Sequence, residues 1–411
     1  MKIGILAYHA AINFGAVLQL LSTWCYLRQR GHEPVILNWI PQDLTDSYSL
    51  RATETVRQFF ASLRHELWTE SALCTTSADV AHEIERLNVE AVIIGSDAVA
   101  QHHPLMERLA FPCRTVFGVK AATSDRQFPN AFWADWTDCL SRPVPVAVIS
   151  ASSQDSAYHW FHPALSRRME RRVVSYAYLS VRDTWTQNLY RHVTHGRRVP
   201  PVTPDPVFAF LQNAGHLLPL PQDVLARYRL PQKYILLSFL NDRTVSQQWL
   251  DDFVRLAERD GVACVGLPFA DKEGFGRLPY SIPLPLSPLD WFALIRYSAG
   301  YVGHNMHPIV TCLHSGVPFF SFDNYGLYRF NGLCASDRSS KIRHILNEAG
   351  LQDWRVSCIS RFFKAPAPAE VWSRMKAHPG SESFARDRLA RYNTMMEAVL
   401  GSFKAGKEEC K

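Results

Sequence analysis

Residues 289–322 read LDWFALIRYSAGYVGHNMHPIVTCLHSGVPFFSF, and they leave the chain few ways to fold. Trp291, Leu294, Ile295 and Ser298 recur at helical spacing, as in a helix with one buried face. Ser287 and Pro288 before them read as an N-cap and a proline at the first helical position. Tyr301 and Val302 form a brief strand, 303–308 a polar turn, and Val310, Leu313 and His314 belong to a second helix stopped by Gly316. Residues 317–322 make the next strand. Such a run belongs to an open parallel sheet, which binds ligands where a turn leaves the carboxyl end of a strand and opens a helix. The turn offers free N–H groups at the positive end of a helix, which suits an anion. His304 and His307 within it mark a candidate site.

The same alternation runs through the chain. Apolar residues 2–8 have the near-continuous pattern of a strand buried on both faces. A helix through Leu18, Leu21 and Leu27 follows and ends at Gly31, and 34–39 form the second strand. Residues 42–81 are polar and helical, 89–94 are a strand ending in Gly95-Ser96-Asp97, and 101–142 are a Trp- and Phe-rich insert. Strands at 144–150 and 176–181 complete the first half. Residues 211–232 combine glycine and prolines around a short helix and read as a linker. A second strand series starts at 234–239. These two β/α halves predict an α/β protein with two doubly wound, Rossmann-like domains and a central cleft. The boundaries are 1–212, 213–375 and a helical tail, 376–411, placed to pack back on the N-terminal domain.

With 411 residues, 47% hydrophobic and 20% charged, the chain has an ordinary globular balance. Its net charge of +6 permits anionic partners but carries no nucleic-acid signature. The nine cysteines are scattered, without the close pairs of a zinc or redox motif, as in a reducing cytosol. The start, MKIGILAYHA, lacks a signal-peptide pattern. The uncharged run at 297–322 is broken by glycine, proline and histidine, so membrane contact is expected only at the periphery.

Several residues at strand ends carry chemistry. Asn13, Phe14 and Gly15 either place N–H groups on an anion or simply turn the chain. Asp97 either orients a hydroxyl and acts as a base or caps a helix. Arg182 either offers its guanidinium fork to a carboxylate or phosphate or pairs with Asp183 or Asp205. Arg167, Arg168, Arg171 and Arg172 form a basic helical face, solvated or turned to an anionic surface. His304, His307 and His314 lack the spacing and acidic neighbour of a metal site, so no metal is expected.

These blocks, in this order, resemble the polysaccharide pyruvyl transferase family along nearly the whole chain. The Asn-x-Gly-x-x-Leu-Gln turn is at Asn13, Gly15, Leu18 and Gln19, and the Gly-Ser-Asp strand end at Gly95, Ser96 and Asp97. LSVRDTWT resembles the Arg-Asp block, at Arg182 and Asp183, and TPDPVF the Asp-Pro block, at Asp205 and Pro206. Residues 297–322 resemble the segment that carries the motif histidine, here His307. The turn itself departs from the family's Ser-Phe-His-Gly or Arg-Leu-His-Gly: it is Asn305-Met306-His307-Pro308, and Pro308 lacks the N–H of the usual glycine.

The resemblance implies a two-domain fold similar to GT-B glycosyltransferases and an enzyme that needs no cofactor. It implies transfer of the enolpyruvyl portion of phosphoenolpyruvate onto two hydroxyls of a sugar, giving a pyruvate ketal and phosphate. The acceptor would be a surface polysaccharide or its lipid-linked precursor. The expected place is the cytoplasm or the inner face of the membrane. His307 and Asp97 are then the catalytic candidates, Arg182, Asn305 and His304 the donor-phosphate candidates, and Asn13, Gly15 and Ser96 the substrate-binding ones. Two other readings stay open: a GT-B-like glycosyltransferase using a nucleotide sugar, and a non-catalytic glycan-binding relative.

Overall fold

The computed structural model describes residues 1–113, 116–119, 121–329 and 334–408. Two parallel sheets organise it. The first contains β1 (Lys2–Leu6), β2 (Glu33–Ile36), β3 (Ala91–Asp97), β4 (Val146–Ala151) and β5 (Tyr178–Val181), in the order β2-β1-β3-β4-β5. The second contains β6 (Tyr234–Ser238), β7 (Ala263–Gly266), β8 (Tyr280–Ser281), β9 (Gly300–Gly303), β10 (Phe319–Asp323) and β11 (Arg355–Ser357), in the order β8-β7-β6-β9-β10-β11. Every pairing within both sheets is parallel. Strand order therefore reverses between β1 and β3 in one lobe and between β6 and β9 in the other, the two positions where such sheets take ligands.

The strands are apolar on both faces because helices cover both. Ile3, Ile5 and Ile93 pack on one side of the first sheet, and Leu6, Val92 and Ile94 on the other. The sequence-predicted elements at 288–322 are present with shifted edges. The helix Pro288–Arg296 starts on the Ser287 cap, β9 follows, and the next helix, Met306–Ser315, ends on the left-handed Gly316. That helix begins at Met306, so Pro308 is its third residue rather than its first; the missing N–H falls in a first turn that needs no intrahelical donors.

One hydrophobic cluster crosses from lobe to lobe. It includes Phe14 and Leu18 of α1 (Phe14–Gln29), Phe208 and Phe210, Trp291 and Phe292 of α3 (Pro288–Arg296), and Ile309 of α4 (Met306–Ser315). Phe14 stacks on Trp291 with ring centroids 5.3 Å apart. The C-terminal helix α6 (Glu382–Glu408) runs back over the first lobe. There Tyr392 meets Tyr26 edge-on at 5.8 Å and Ser150 Oγ donates to Met395 Sδ at 3.4 Å. The cleft is thus floored by shared core rather than by a bare linker.

Candidate functional site

Asp97 ends β3. Gly95 before it has φ +118, and any Cβ there would strike the carbonyl of Ile149, so only glycine brings the strand this close to its neighbour. Asp97 itself sits at φ 74, and its carbonyl accepts from Ser152 N–H at 2.8 Å. Ser96 is buried and its hydroxyl finds no partner among the described residues.

Arg182 follows β5 and is 4% exposed. Its Nη1 donates to Asp205 Oδ2 at 2.8 Å and its Nη2 to Asp97 Oδ1 at 3.0 Å. Asp183 is not its partner: one carboxylate oxygen caps α2 (Thr184–Val193) by accepting from Thr186 N–H, and the other accepts from Ser152. Of the two readings open from sequence, the ion pair describes the guanidinium, with Asp97 as the partner not foreseen. Each terminal nitrogen gives one N–H to a carboxylate, so the guanidinium holds Asp97 and Asp205 in place. Burial works against the charge of Arg182, but Asp97 and Asp205 raise its pKa. Burial likewise works against the charge of Asp97, but Lys341 and Arg182 hold it well below the usual carboxylate range.

Asp205 also accepts from Gln19 Nε2 of α1 at 2.5 Å and from Val207 N–H at 3.0 Å. Across the cleft, His307 Nε2 lies 3.9 Å from Asp205 Oδ2, too far for a hydrogen bond, and has no partner among the described residues. Burial pushes the His307 pKa down to about 4, against the pull of Asp205 and Asp97, so the ring is a neutral base at physiological pH. A cavity of about 220 Å³ opens beside it, walled by Asn13, Arg51, Trp291, Asn305, Pro308 and Tyr325 among others.

Lys341, which the sequence reading passed over, supplies the other cation. It opens α5 (Lys341–Glu348), behind the Ser340 cap, whose hydroxyl donates to Asp323 at 2.5 Å. Its Nζ stands 3.8 Å from Asp97 Oδ1 and 4.8 Å from the centre of the Tyr325 ring. Burial lowers its pKa, as does Arg182. A signal existed: a lysine at the positive end of a helix opposes the helix dipole and wants a reason.

The remaining candidates are placed as follows. The Asn13 side chain accepts from Gly15 and Ala16 N–H, so those donors cap α1 and are not open to an anion. Gly15 makes room: any side chain there would overlap the His307 ring. Asn305 sits at φ 75 without capping α4 and faces the cavity. His304 is turned away: Leu240 N–H donates to its Nδ1 and Thr244 pairs with its Nε2, each at 3.1 Å, so it borders a different cavity. His314 packs edge-on against Phe208 and Phe292. Among the described residues no three His, Cys, Asp or Glu side chains gather as a metal site, and no helix is long and apolar enough to cross a membrane.

The five sequence blocks thus converge on one cleft: α1 and Gln19, Asp97, Arg182, Asp205 and His307. Similar folds are known. A UDP-GlcNAc 2-epimerase from Neisseria meningitidis bound to UDP-GlcNAc superposes with TM-score 0.53 at 11% identity, over 98% of this chain and 100% of that one. A ugt transferase from Siraitia grosvenorii in complex with UDP gives 0.50 at 10% identity, over 98% and 99%. A putative UDP-N-acetylglucosamine 2-epimerase from Listeria monocytogenes gives 0.50 at 11%, over 99% and 97%. At such identities the likeness establishes the GT-B-type fold alone. No curated protein matches the sequence. The family profile for polysaccharide pyruvyl transferase matches residues 13–325, most of the length, and the chain belongs to that family.

Proposed function

We propose that the protein moves pyruvyl from phosphoenolpyruvate onto two hydroxyls of a sugar in a surface polysaccharide or its lipid-linked precursor, forming a ketal and releasing phosphate. The observation that carries this reading is the neutral His307 imidazole in the cavity wall, its buried Nε2 unpartnered among the described residues and 3.9 Å from Asp205 Oδ2 of the other lobe. A neutral imidazole takes the proton of the first acceptor hydroxyl as its oxygen bonds to C2 of the donor. Asp205, fixed by Arg182 and Gln19, stabilises the imidazolium that forms. The same proton passes on to C3 as the C2–O bond forms, so that the electron pair of the double bond ends in a C–H bond and C3 becomes the methyl group. The second hydroxyl displaces phosphate from C2, closing the ketal, and its proton leaves with the phosphate.

The donor is anionic at both ends. The exposed Arg51 in the wall of the His307 cavity, and Lys341, which lines a small neighbouring cavity that shares Tyr325 with it, are the cations proposed to receive it. Asn305, where some relatives have arginine, contributes an amide in place of a charge. The reading needs no metal and no cofactor. It places the protein in the cytoplasm, at the inner face of the membrane when the acceptor is lipid-linked.

The test is phosphate release and loss of the donor vinyl protons on incubation with phosphoenolpyruvate and a panel of sugar acceptors. Turnover that His307→Asn abolishes while phosphoenolpyruvate still binds is the expected result. Consumption of a nucleotide sugar instead, or binding without turnover for every acceptor, would overturn the reading.

A further inference from the structure

The basic helical face at 167–172 plays no part in the cleft. It belongs to a segment, 156–204, with eight arginines, no lysine and two acids. That surplus of six equals the net charge of the whole chain, so the other residues together are neutral. The positive surplus of the protein thus resides in one segment of the first lobe.

Two helices of the segment, Pro163–Val174 and α2, lie side by side. They bury Met169, Val173, Leu189 and Val193 in the same core layer on the first sheet, so both turn their other sides to solvent. At about 100° per residue, Arg167, Arg171 and Val174 fall within about 60° of one another, opposite Met169 and Val173. All three are exposed. Arg191 is exposed on α2, and Trp160 just before the first helix adds an exposed indole. The first helix follows β4, so it starts at the carboxyl edge of the first sheet, the edge that carries Asp97 and Arg182. Trp160 stands at that end.

Both acids of the segment are committed. Glu170 pairs with Arg197 at 3.1 Å, and Asp183 is buried as the α2 cap. Some arginines are committed too. Arg172 meets Asp138 at 2.5 Å, Arg198 donates to the carbonyls of Val173, Val174 and Tyr176, and Arg168 lies over the Phe128 ring at 5.5 Å. Arg167, Arg171 and Arg191 have no acidic partner among the described residues. A basic helix face is commonly no more than a solvated one. Here it is joined by exposed Trp160 and Val174, and the segment holds no uncommitted carboxylate to neutralise it. Guanidinium forks match phosphate oxygens, and an indole suits the level of lipid headgroups.

We infer that this face docks on the anionic surface of a phospholipid bilayer, with Arg167, Arg171 and Arg191 on the charged headgroups and Trp160 and Val174 seated among them. Docking of this kind does not depend on pyruvyl transfer. Co-sedimentation of the full chain with vesicles tests it. Vesicles of phosphatidylcholine mixed with phosphatidylglycerol should carry the protein down, vesicles of phosphatidylcholine alone should not, and added salt should release it. Each arginine near such a surface is worth about fivefold in affinity. Arg167→Gln/Arg171→Gln should therefore weaken binding at least about tenfold with the melting temperature unchanged, and Arg167→Lys/Arg171→Lys should keep most of it. Arg259→Gln/Arg277→Gln takes the same charge from exposed positions of the second lobe and should change nothing. Trp160→Ala should weaken binding severalfold and leave its salt dependence as it was. His307→Asn should sediment like the wild type, so a loss of transfer is read apart from a loss of docking. No affinity for the anionic vesicles, equal affinity for the neutral ones, or an equal loss in the second-lobe variant would overturn the inference. So would displacement by free glycerol 3-phosphate, the mark of a pocket and not a surface. Binding of single-stranded RNA that survives the salt releasing the vesicles would overturn it in favour of nucleic acid.

Discussion

The imidazole of His307 rests on Gly15 so closely that even a single Cβ at position 15 would overlap the ring. Two turns nearly 300 residues apart in sequence, one opening α1 and one opening α4, are thereby fitted to each other. The glycine of the first block does its work on the histidine of the last, not on a ligand.

Gly15→Ala should therefore displace His307 while leaving the backbone of α1 undisturbed, since alanine is a better helix former than glycine. An ångström of misplacement at a reacting group costs about 10²-fold. We expect kcat for pyruvyl transfer to fall by about that factor, with a far-ultraviolet circular dichroism spectrum like the wild type. Unchanged kcat would show that His307 is not placed by this contact.

Arg182→Ala removes the common partner of two buried carboxylates. Asp97 keeps Lys341 at 3.8 Å, but Asp205 is left with Gln19 and a backbone N–H. Breaking a buried ion pair from one side costs roughly 3–5 kcal/mol. Chemical denaturation should show a loss of that order. A variant that loses affinity for phosphoenolpyruvate at wild-type stability would instead restore the donor-contact role.

Lys341→Gln tests the cation that is not fully committed. Asp97 retains its bond to Arg182, so the stability loss should be small. Removing one charge from the donor site should raise KM for phosphoenolpyruvate about tenfold or more, with a smaller effect on kcat, by loss of a charge-assisted contact. Steady-state kinetics with saturating acceptor would check it. An unaltered KM would remove Lys341 from the donor site.

Acid should destabilise the fold through its buried imidazoles. His304 and His307 have folded pKa values of about 4 against an ordinary value of 6.5. Below pH 6.5 the unfolded chain takes up protons that the folded one refuses, so stability present above that pH is lost as pH falls from 6.5 towards 4. Each group contributes on the order of 1–2 kcal/mol at pH 5. Urea unfolding at pH 7 and pH 5 should show the difference, and His307→Asn should shrink it. A His307→Asn variant with the full pH dependence would show that its ring is not buried in neutral form.

Within the region of the site, the sequence was most legible where local rules act alone. Ser287 and Pro288 start α3 and Gly316 ends α4 as caps dictate. The apolar runs at 2–8 and 234–239 became central strands because a run without polar alternation needs cover on both faces. The turn at 303–308 was read one element too long: α4 begins at Met306 because a proline in the first turn does not interrupt a helix. His304 and His307, three residues apart, looked interchangeable. The backbone at Gly303 and Asn305, both at positive φ, sends one ring to Leu240 and Thr244 and the other to the cleft.

What the sequence determined by itself was the set of strand ends and the residue types waiting there, because apolar periodicity and caps are properties of neighbouring residues. Which charge meets which was decided only by the tertiary structure. Arg182 lies beside Asp183 in the chain but is bonded to Asp97 and Asp205, and Lys341 reaches Asp97 from the other lobe. Ion pairing and desolvation depend on distance and burial in space, and both are fixed only once the two lobes are packed across a shared core.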